Sequence, residues 1–196
     1  MIQNRSYLDK TDEELVTLSL EDKGYYKYLV ERFEEKLLRY IVRLSGLSKE
    51  DAEDILQDVF IKAYQNLNDF DTGLKFSSWI YRITHNEAIT HLRKLKSRPK
   101  VIIDQGANDL ALNTLRADLD IEKNIDKKYL LENITGTIDR LDEKYKNVLV
   151  LKYIEDKNYQ EMSDILKKPM GTVATLLKRA KEKLNIELLK KSKNFI

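Results

Sequence analysis

The clearest helical pattern in the chain lies in Asp51–Lys94, which reads DAEDILQDVFIKAYQNLNDFDTGLKFSSWIYRITHNEAITHLRK. Its first part is acidic and repeats apolar side chains at alternating intervals of three and one, the spacing of one helix face: Ala52, Ile55, Leu56, Val59, Phe60, Ala63 and Tyr64. The span Asn66–Lys75 contains Gly73 and is predicted to be a loop. A second helix is predicted over Phe76–Lys96, with Trp79, Ile80, Ile83 and Leu92 as core candidates.

A helical region is also predicted upstream of this stretch, from Asp12 to Ser45. Thr11 or Asp12 can cap its start, and Glu14 lies in its first turn. Gly46 and Ser48 are expected to separate it from the next helix, where Ser48 and Asp51 have the spacing of a capping box with a shorter acid.

Composition favours an all-α protein of one large or two small domains. The 196 residues include only six Gly and two Pro, fewer turn residues than strand-rich folds use. The absence of cysteine excludes disulfides and thiolate metal sites. No apolar run approaches membrane-spanning length and the first residues lack a signal-peptide core, so we expect a cytoplasmic protein without membrane insertion.

Charge is distributed unevenly, although the formal net charge is only +2. Residues 80–100 carry six basic side chains against one acidic one, and residues 167–193 carry nine against two. Residues 101–126 between them are mainly acidic. Either basic segment alone is explained by a solvated helix face, but two of them at the ends of two helical regions favour DNA as a partner.

The pattern predicts two small helical domains, residues 1–97 and 125–196, joined by a flexible linker at 98–124 that begins near Pro99. The first part of the second domain is expected to pack through Ile134, Ile138, Leu141, Val148, Leu149, Leu151 and Tyr153.

The C-terminal sequence YQEMSDILKKPMGTVATLLKRAKEKL predicts two helices around a tight turn at Lys167–Met170. Gly171 and Thr172 are expected to open the second helix, with Thr172 as its cap and free amides that suit a phosphate. The inner face would contain Met162, Ile165, Leu166, Val173, Leu176, Leu177, Ala180 and Leu184. A helix-turn-helix and a helical hairpin with a solvated lysine face explain these residues about equally well.

This segment resembles region 4 of the ECF-type (extracytoplasmic function) sigma factors of bacterial RNA polymerase, in which a Pro-x-Gly-Thr-Val motif opens the helix that reads the −35 promoter element. The upstream LDEKYKNVLVLKYIEDKNY is similar to the first helices of that region. The resemblance implies that −35 DNA is bound by Gly171, Thr172, Ala174, Thr175, Lys178 and Arg179.

The chain departs from the family pattern at two places in this motif. Lys167 stands where family members often carry Gly, which predicts a different turn geometry. Ala174, Thr175 and Leu176 stand where a basic-Ser-Arg run is usual, which predicts the loss of phosphate or base contacts.

Asp51–Lys94 is similar to region 2 of the same family. The resemblance implies that its first helix binds the clamp helices of the largest polymerase subunit through side chains off the apolar stripe: Asp51, Asp54, Gln57, Asp58 and Lys62. Without the resemblance, a solvated acidic face would explain the same residues.

The rest of this stretch resembles the part of region 2 that binds and opens the −10 element. The loop Phe70–Lys75 would hold a flipped base, with Asn86 against the loop and Arg82, Arg93 and Lys94 on phosphates. Trp79 and Phe76 are expected in the core, and Tyr81 is expected to be more exposed. The predicted −10 DNA-binding residues are Phe70, Asp71, Thr72, Gly73, Lys75, Arg82, His85, Asn86, Arg93 and Lys94.

Together these resemblances imply a sigma factor that binds core polymerase, recognises the −35 and −10 elements and melts the −10 region. Its expected partners are promoter DNA, duplex and single-stranded, the clamp helices of the largest polymerase subunit, the flap of the second-largest, and an anti-sigma factor. A ligand-sensing regulator with a helix-turn-helix would not explain the first half of the chain. We expect no enzyme, cofactor or metal, because paired carboxylates in a metal-site context, a Gly-rich phosphate loop and a nucleophile constellation are lacking; His85 and His91 face different sides of a helix.

Overall fold

A computed structural model describes Tyr7, residues 9–97 and residues 136–193 of the chain, with Lys96, Ser97, Leu189 and residues 191–193 described by their backbone alone. These residues form helices and connecting turns without a strand, which confirms the all-α prediction. The chain divides into two compact units, Met1–Ile103 and Asp104–Ile196. The predicted linker at 98–124, the acidic segment 101–126 and Ile134 lie outside the described residues.

The described part of the first unit contains four α-helices: α1 (Asp12–Glu21), α2 (Tyr26–Ser45), α3 (Lys49–Gln65) and α4 (Phe76–Ser97). The region predicted as helical from Asp12 to Ser45 is therefore broken between α1 and α2. The break follows from Asp22, whose side chain accepts a hydrogen bond from the Gly24 amide at 2.8 Å and opens a short 3-10 turn over Lys23–Tyr25.

Local capping residues set the other helix boundaries largely as predicted. Thr11 and Glu14 form a reciprocal capping box at the start of α1, and Gly46 ends α2 in the left-handed conformation with φ +69°. At the start of α3 the Ser48 Oγ accepts from the Asp51 amide at 3.1 Å. The Asp51 carboxylate accepts from the Ser48 hydroxyl at 3.0 Å rather than from the Ser48 amide, so Ser48 caps the helix without the predicted capping box.

The core of the first unit lies among α2, α3 and α4, with α1 packed against them. Five residues of the predicted α3 stripe are buried, whereas Phe60 is half-buried and Tyr64 is 37% exposed. Tyr64 packs on the ring of Tyr26, whose hydroxyl donates to the Phe60 carbonyl at 2.8 Å. Each large aliphatic side chain buried here contributes about 1.5–3 kcal/mol, so the α3 stripe is a major stabilising element.

The second unit contains α5 (Glu143–Leu149), a π-helical turn (Val150–Ile154), α6 (Tyr159–Leu166) and α7 (Met170–Lys193) within its described part. Val148, Leu149 and Leu151 are buried as predicted. Tyr153 is 55% exposed, so its predicted place in the core is wrong. The cause is the π-helical turn, since its wider winding rotates Tyr153 away from the face that the α-helical spacing assigns to it.

Candidate functional site

The outer face of α3 presents all five residues that were predicted to bind polymerase. Asp51, Asp54, Gln57, Asp58 and Lys62 are all exposed; Asp54, Gln57 and Asp58 lie opposite the buried stripe of the helix, and Asp51 and Lys62 lie at its edge. Lys62 pairs with Glu87 of α4, so one basic group of this face already has a partner within the unit.

Ile61 lies among these polar side chains with 55% of its surface exposed, and the sequence pattern did not single it out. It falls on the same side of the helix as Asp54, Gln57 and Asp58 because residues three, four and seven apart share a helix face. The sequence signal that could have identified Ile61 is its position off the apolar stripe. The face therefore offers negative charge around an apolar centre, an arrangement suited to a protein partner with basic and apolar groups.

The loop between α3 and α4 has a buried base and an exposed tip. Phe70 is only 6% exposed, and its ring lies 5.5 Å from that of Phe76 and 5.4 Å from that of Trp79. This placement corrects the prediction that the Phe70 side chain contacts DNA, since its ring is used in packing. Phe76 is buried as predicted, and Trp79 is half-buried.

The tip of the loop is ordered by Asp71. Its Oδ1 accepts from the Gly73 amide at 2.9 Å, and its carbonyl accepts from the Leu74 amide at 2.9 Å. These bonds close a tight turn of the Asx type. The predicted residues Asp71, Thr72, Gly73 and Lys75 are all exposed, and so is Leu74 at 58%, which the prediction omitted.

His85 lies inside the first unit, which corrects its prediction as a DNA contact. It is 8% exposed, and its Nδ1 is 2.9 Å from the hydroxyl of the fully buried Tyr40. Burial, with a smaller contribution from the nearby Arg93 charge, lowers the pKa of His85 to about 4. The imidazole is therefore neutral at pH 7 and acts in packing rather than in phosphate binding.

Tyr81 is also buried, at 3% exposure, although the helical wheel suggested an exposed position. Its ring lies 5.1 Å from that of Tyr40. The expectation was wrong because α2 covers a wider part of α4 than the apolar stripe alone indicates.

The remaining predicted residues of α4 form a polar line along one side of the helix. Arg82, Asn86 and Arg93 are separated by four and seven residues, so they lie on one side of the helix. Arg82 is half-buried, whereas Asn86 and Arg93 are exposed, as is Lys94 on a neighbouring side. Because Asn86 is exposed, a ligand can reach its side-chain amide.

The exposed face of α7 contains all six residues that were predicted to bind duplex DNA: Gly171, Thr172, Ala174, Thr175, Lys178 and Arg179. The opposite face packs Val173, Leu177 and Ala180 against α6, where Met162 and Ile165 are buried. The predicted inner face is confirmed at these positions, while Leu166, Leu176 and Leu184 are half-buried.

The start of α7 differs from the prediction, because the helix begins at Met170 rather than at Thr172. Thr172 lies in the first turn and its amide donates to the Pro169 carbonyl at 2.9 Å, so the prediction of a Thr172 cap is wrong. Val173 donates to the same carbonyl at 3.0 Å, and these two amides are therefore not available to a phosphate.

The turn before α7 keeps a glycine-like geometry despite its lysine. Lys167 ends α6 with φ 50° and ψ 47°, the left-handed conformation that glycine adopts most readily. The expectation of a different turn geometry is therefore wrong. Ser163 stabilises the turn, since its hydroxyl donates to the Lys168 carbonyl at 2.6 Å and its own carbonyl accepts from the Lys168 amide at 3.2 Å.

Both halves of the chain match models of one protein family. Residues 29–98 match Sigma-70 region 2 and residues 131–184 match Sigma-70, region 4. The chain is 35% identical over 172 residues to the ECF RNA polymerase sigma factor SigW of Bacillus subtilis, covering 85% of this chain and 90% of the relative. It is 32% identical over 176 residues to the ECF RNA polymerase sigma-E factor of Haemophilus influenzae, covering 88% and 92%.

Two solved structures share the fold. CnrH, solved in complex with the cytosolic domain of CnrY, has a TM-score of 0.66 at 23% identity and covers 91% of this chain and 97% of its own. The sigma factor RpoE of Bartonella quintana, solved in complex with the anti-sigma factor NepR, has a TM-score of 0.60 at 20% identity and covers 84% and 96%.

The described residues were also compared with what a membrane-spanning helix and a metal site require. The part of the chain that the structure describes includes no helix long and apolar enough to span a bilayer. Within the same residues, no three His, Cys, Asp or Glu side chains come together as a metal site would need. With both family regions present and in order, and with relatives aligned over most of the chain, this protein belongs to the ECF sigma factors of the sigma-70 family.

Proposed function

We propose that this chain, which as an ECF sigma factor acts in promoter-specific initiation by RNA polymerase, binds core polymerase, recognises the −35 and −10 elements and melts the −10 region. The observation that carries the proposal is the loop before α4. The tip of this loop, Asp71–Lys75, is exposed, whereas Phe70 at its base packs its ring against Phe76 and Trp79. The polar line Arg82, Asn86 and Arg93 follows on α4.

The −10 step needs no nucleotide hydrolysis if the displaced strand is bound more tightly than the duplex is held. Flipping a base costs a few kcal/mol, which hydrogen bonds and stacking in a pocket can offset. The loop tip Asp71–Lys75 contacts the flipped base, the Asn86 amide pairs with a base edge, and Arg82, Arg93 and Lys94 hold phosphates. The closed turn at Asp71 supports this role, because a preformed loop loses less entropy when it binds.

Core polymerase binds the outer face of α3. Asp54, Gln57 and Asp58 meet basic groups on the clamp helices of the largest subunit, and Ile61 supplies the apolar centre of the contact. Ile61 is exposed within an acidic face, and this supports the proposal. Burial of apolar area at the centre of an interface contributes binding free energy that the charged groups at its rim do not supply.

The −35 element is read by the exposed face of α7 in the major groove. Lys178 and Arg179 supply the positive charge, and Gly171, Thr172, Ala174 and Thr175 form a flat surface of small side chains beside them. Small side chains let the helix approach the DNA closely. The second unit also contacts the flap of the second-largest polymerase subunit.

An anti-sigma factor is the proposed regulatory partner. The two solved relatives were captured with the cytosolic domain of CnrY and with the anti-sigma factor NepR, respectively. The chain itself contributes no catalytic step, because the bond-forming chemistry belongs to core polymerase.

Transcript mapping tests the proposal. Core polymerase with this chain, supplied with sheared DNA of the native cell, should produce transcripts whose start sites share two spaced upstream elements. The variant Asp54→Lys/Asp58→Lys, which reverses charge on the outer face of α3, should abolish these transcripts. Random start sites, or the same start sites without the chain, would contradict the proposal.

A further inference from the structure

The residue that precedes α4 offers no side-chain acceptor to the first-turn amides of the helix. The residue before the helix is Lys75, whose side chain has donors only, so it cannot accept a hydrogen bond from the first-turn amides. Its carbonyl accepts from the amides of Ser78 and Trp79 at 3.1 and 3.2 Å. The amide of Phe76 needs an acceptor from elsewhere in the fold.

Glu13 of α1 supplies that acceptor. Its Oε1 accepts from the Phe76 amide at 2.8 Å, across 63 positions of sequence. A carboxylate at a helix N-terminus also interacts favourably with the helix dipole. This long-range cap lies directly behind the loop tip Asp71–Lys75, since Phe76 is the next residue.

Hydrogen bonds from Arg32 of α2 and a capping box fix the position of the start of α1, which carries Glu13. Arg32 of α2 donates to the Asp12 carboxylate at 2.6 Å and to the Lys10 carbonyl at 3.0 Å. Asp12 and Arg32 are both about three-quarters buried, which strengthens this ion pair relative to an exposed one. Thr11 and Glu14 close the capping box of the same turn.

We propose that Glu13 is a positioning residue for promoter opening. By capping α4 it keeps the loop Phe70–Lys75 in the arrangement that receives a flipped base, without touching DNA itself. This inference rests on the proposed function of the loop, and it adds α1 to the elements on which opening depends.

Three variants of the full-length chain separate the contributions. Glu13→Ala removes the acceptor, Glu13→Gln keeps an acceptor oxygen without the charge, and Glu21→Ala removes one acidic charge from the exposed end of the same helix as a control. Loss of a helix cap typically changes the local equilibrium about fivefold.

The hydrogen-exchange rate of the Phe76 amide measures directly whether Glu13 caps α4. We expect exchange about fivefold faster in Glu13→Ala, and close to wild type in Glu13→Gln and Glu21→Ala. Unchanged exchange in Glu13→Ala would overturn the capping role, whether or not the chain is a sigma factor. Equal acceleration in Glu13→Gln would overturn the claim that an acceptor oxygen suffices.

The permanganate reactivity of promoter thymines measures how far each Glu13 variant opens the promoter. With core polymerase, Glu13→Ala should lower the equilibrium constant for promoter opening about fivefold, measured on a promoter that the wild-type chain opens only partly, while its affinity for core polymerase stays unchanged. Normal opening, or an equal loss of core binding and opening, would overturn the positioning role. If the wild-type chain opens no promoter, the proposed function fails, and Phe76 exchange still decides the capping role by itself.

Discussion

Acidification should destabilise the first unit through His85, and the size of the effect follows from its burial. The pKa of His85 is lowered to about 4 in the folded chain, against its ordinary value of 6.5. Because the folded pKa lies below the unfolded one, the stabilising contribution is complete above pH 6.5 and is lost as the pH falls towards 4. The loss is about 2 kcal/mol at pH 5 and approaches about 3 kcal/mol below pH 4.

Fluorescence can measure this loss in the full chain, because Trp79 is its single tryptophan and lies in the first unit. Urea unfolding followed through Trp79 at pH 7 and pH 5 gives the two free energies of unfolding. The variant His85→Gln keeps an amide that can pair with the Tyr40 hydroxyl but does not titrate.

The difference in unfolding free energy between pH 7 and pH 5 should be about 2 kcal/mol smaller in His85→Gln than in wild type. The variant His91→Gln is the matched control, since it makes the same substitution at a half-buried position of the same helix and keeps His85. Identical pH dependence in wild type and His85→Gln would refute the assignment of His85 as a buried, neutral group.

Four further substitutions test separate surfaces. Lys167→Gly should stabilise α6 and α7 by about 0.5–1 kcal/mol in hydrogen exchange, because it relieves a left-handed lysine; a loss of protection would contradict this. Gly171→Ala has open space for its methyl group, so it should leave the fold intact but weaken −35 duplex binding by about 1–3 kcal/mol if DNA approaches closely; unchanged binding would exclude that approach. Asn86→Ala should reduce promoter opening by about 1–3 kcal/mol with core binding unchanged, and an equal loss of both would count against a base contact. Arg179→Ala should lower the slope of −35 affinity against salt by about one unit, and an unchanged slope would argue against a phosphate contact.

Features that depend on near neighbours in sequence could be predicted well. The capping box of Thr11 and Glu14, the left-handed Gly46 and the start of α3 at Ser48 all follow from contacts within four residues. The same holds for the apolar stripe of α3, because helical spacing alone decides which side of the helix faces inward.

Features that depend on which element packs against which could not be predicted. His85 was predicted to contact DNA and Tyr81 to be more exposed, but Tyr40 of α2 lies against both, and nothing within α4 indicates how far α2 covers it. The Glu13 cap on Phe76 joins residues far apart in sequence, so no local motif reveals it.

Irregular backbone conformation explains the differences between prediction and structure at Tyr153 and Lys167. Tyr153 would point inward on a regular α-helix, and the π-helical turn Val150–Ile154 changes that phase. Lys167 shows the converse case, in which an unfavourable residue adopts the conformation that its turn requires because Ser163 and the packing of α6 on α7 hold the turn in place.

The most direct test of the proposed function is permanganate mapping of promoter DNA identified by the transcript experiment, with core polymerase and this chain added separately and together. We expect unpaired thymines in the −10 region only when both are present, and without hydrolysable nucleotide. Binding of the chain to core polymerase while the promoter stays fully paired, or no binding to core polymerase at all, would contradict the proposal that this chain opens promoters.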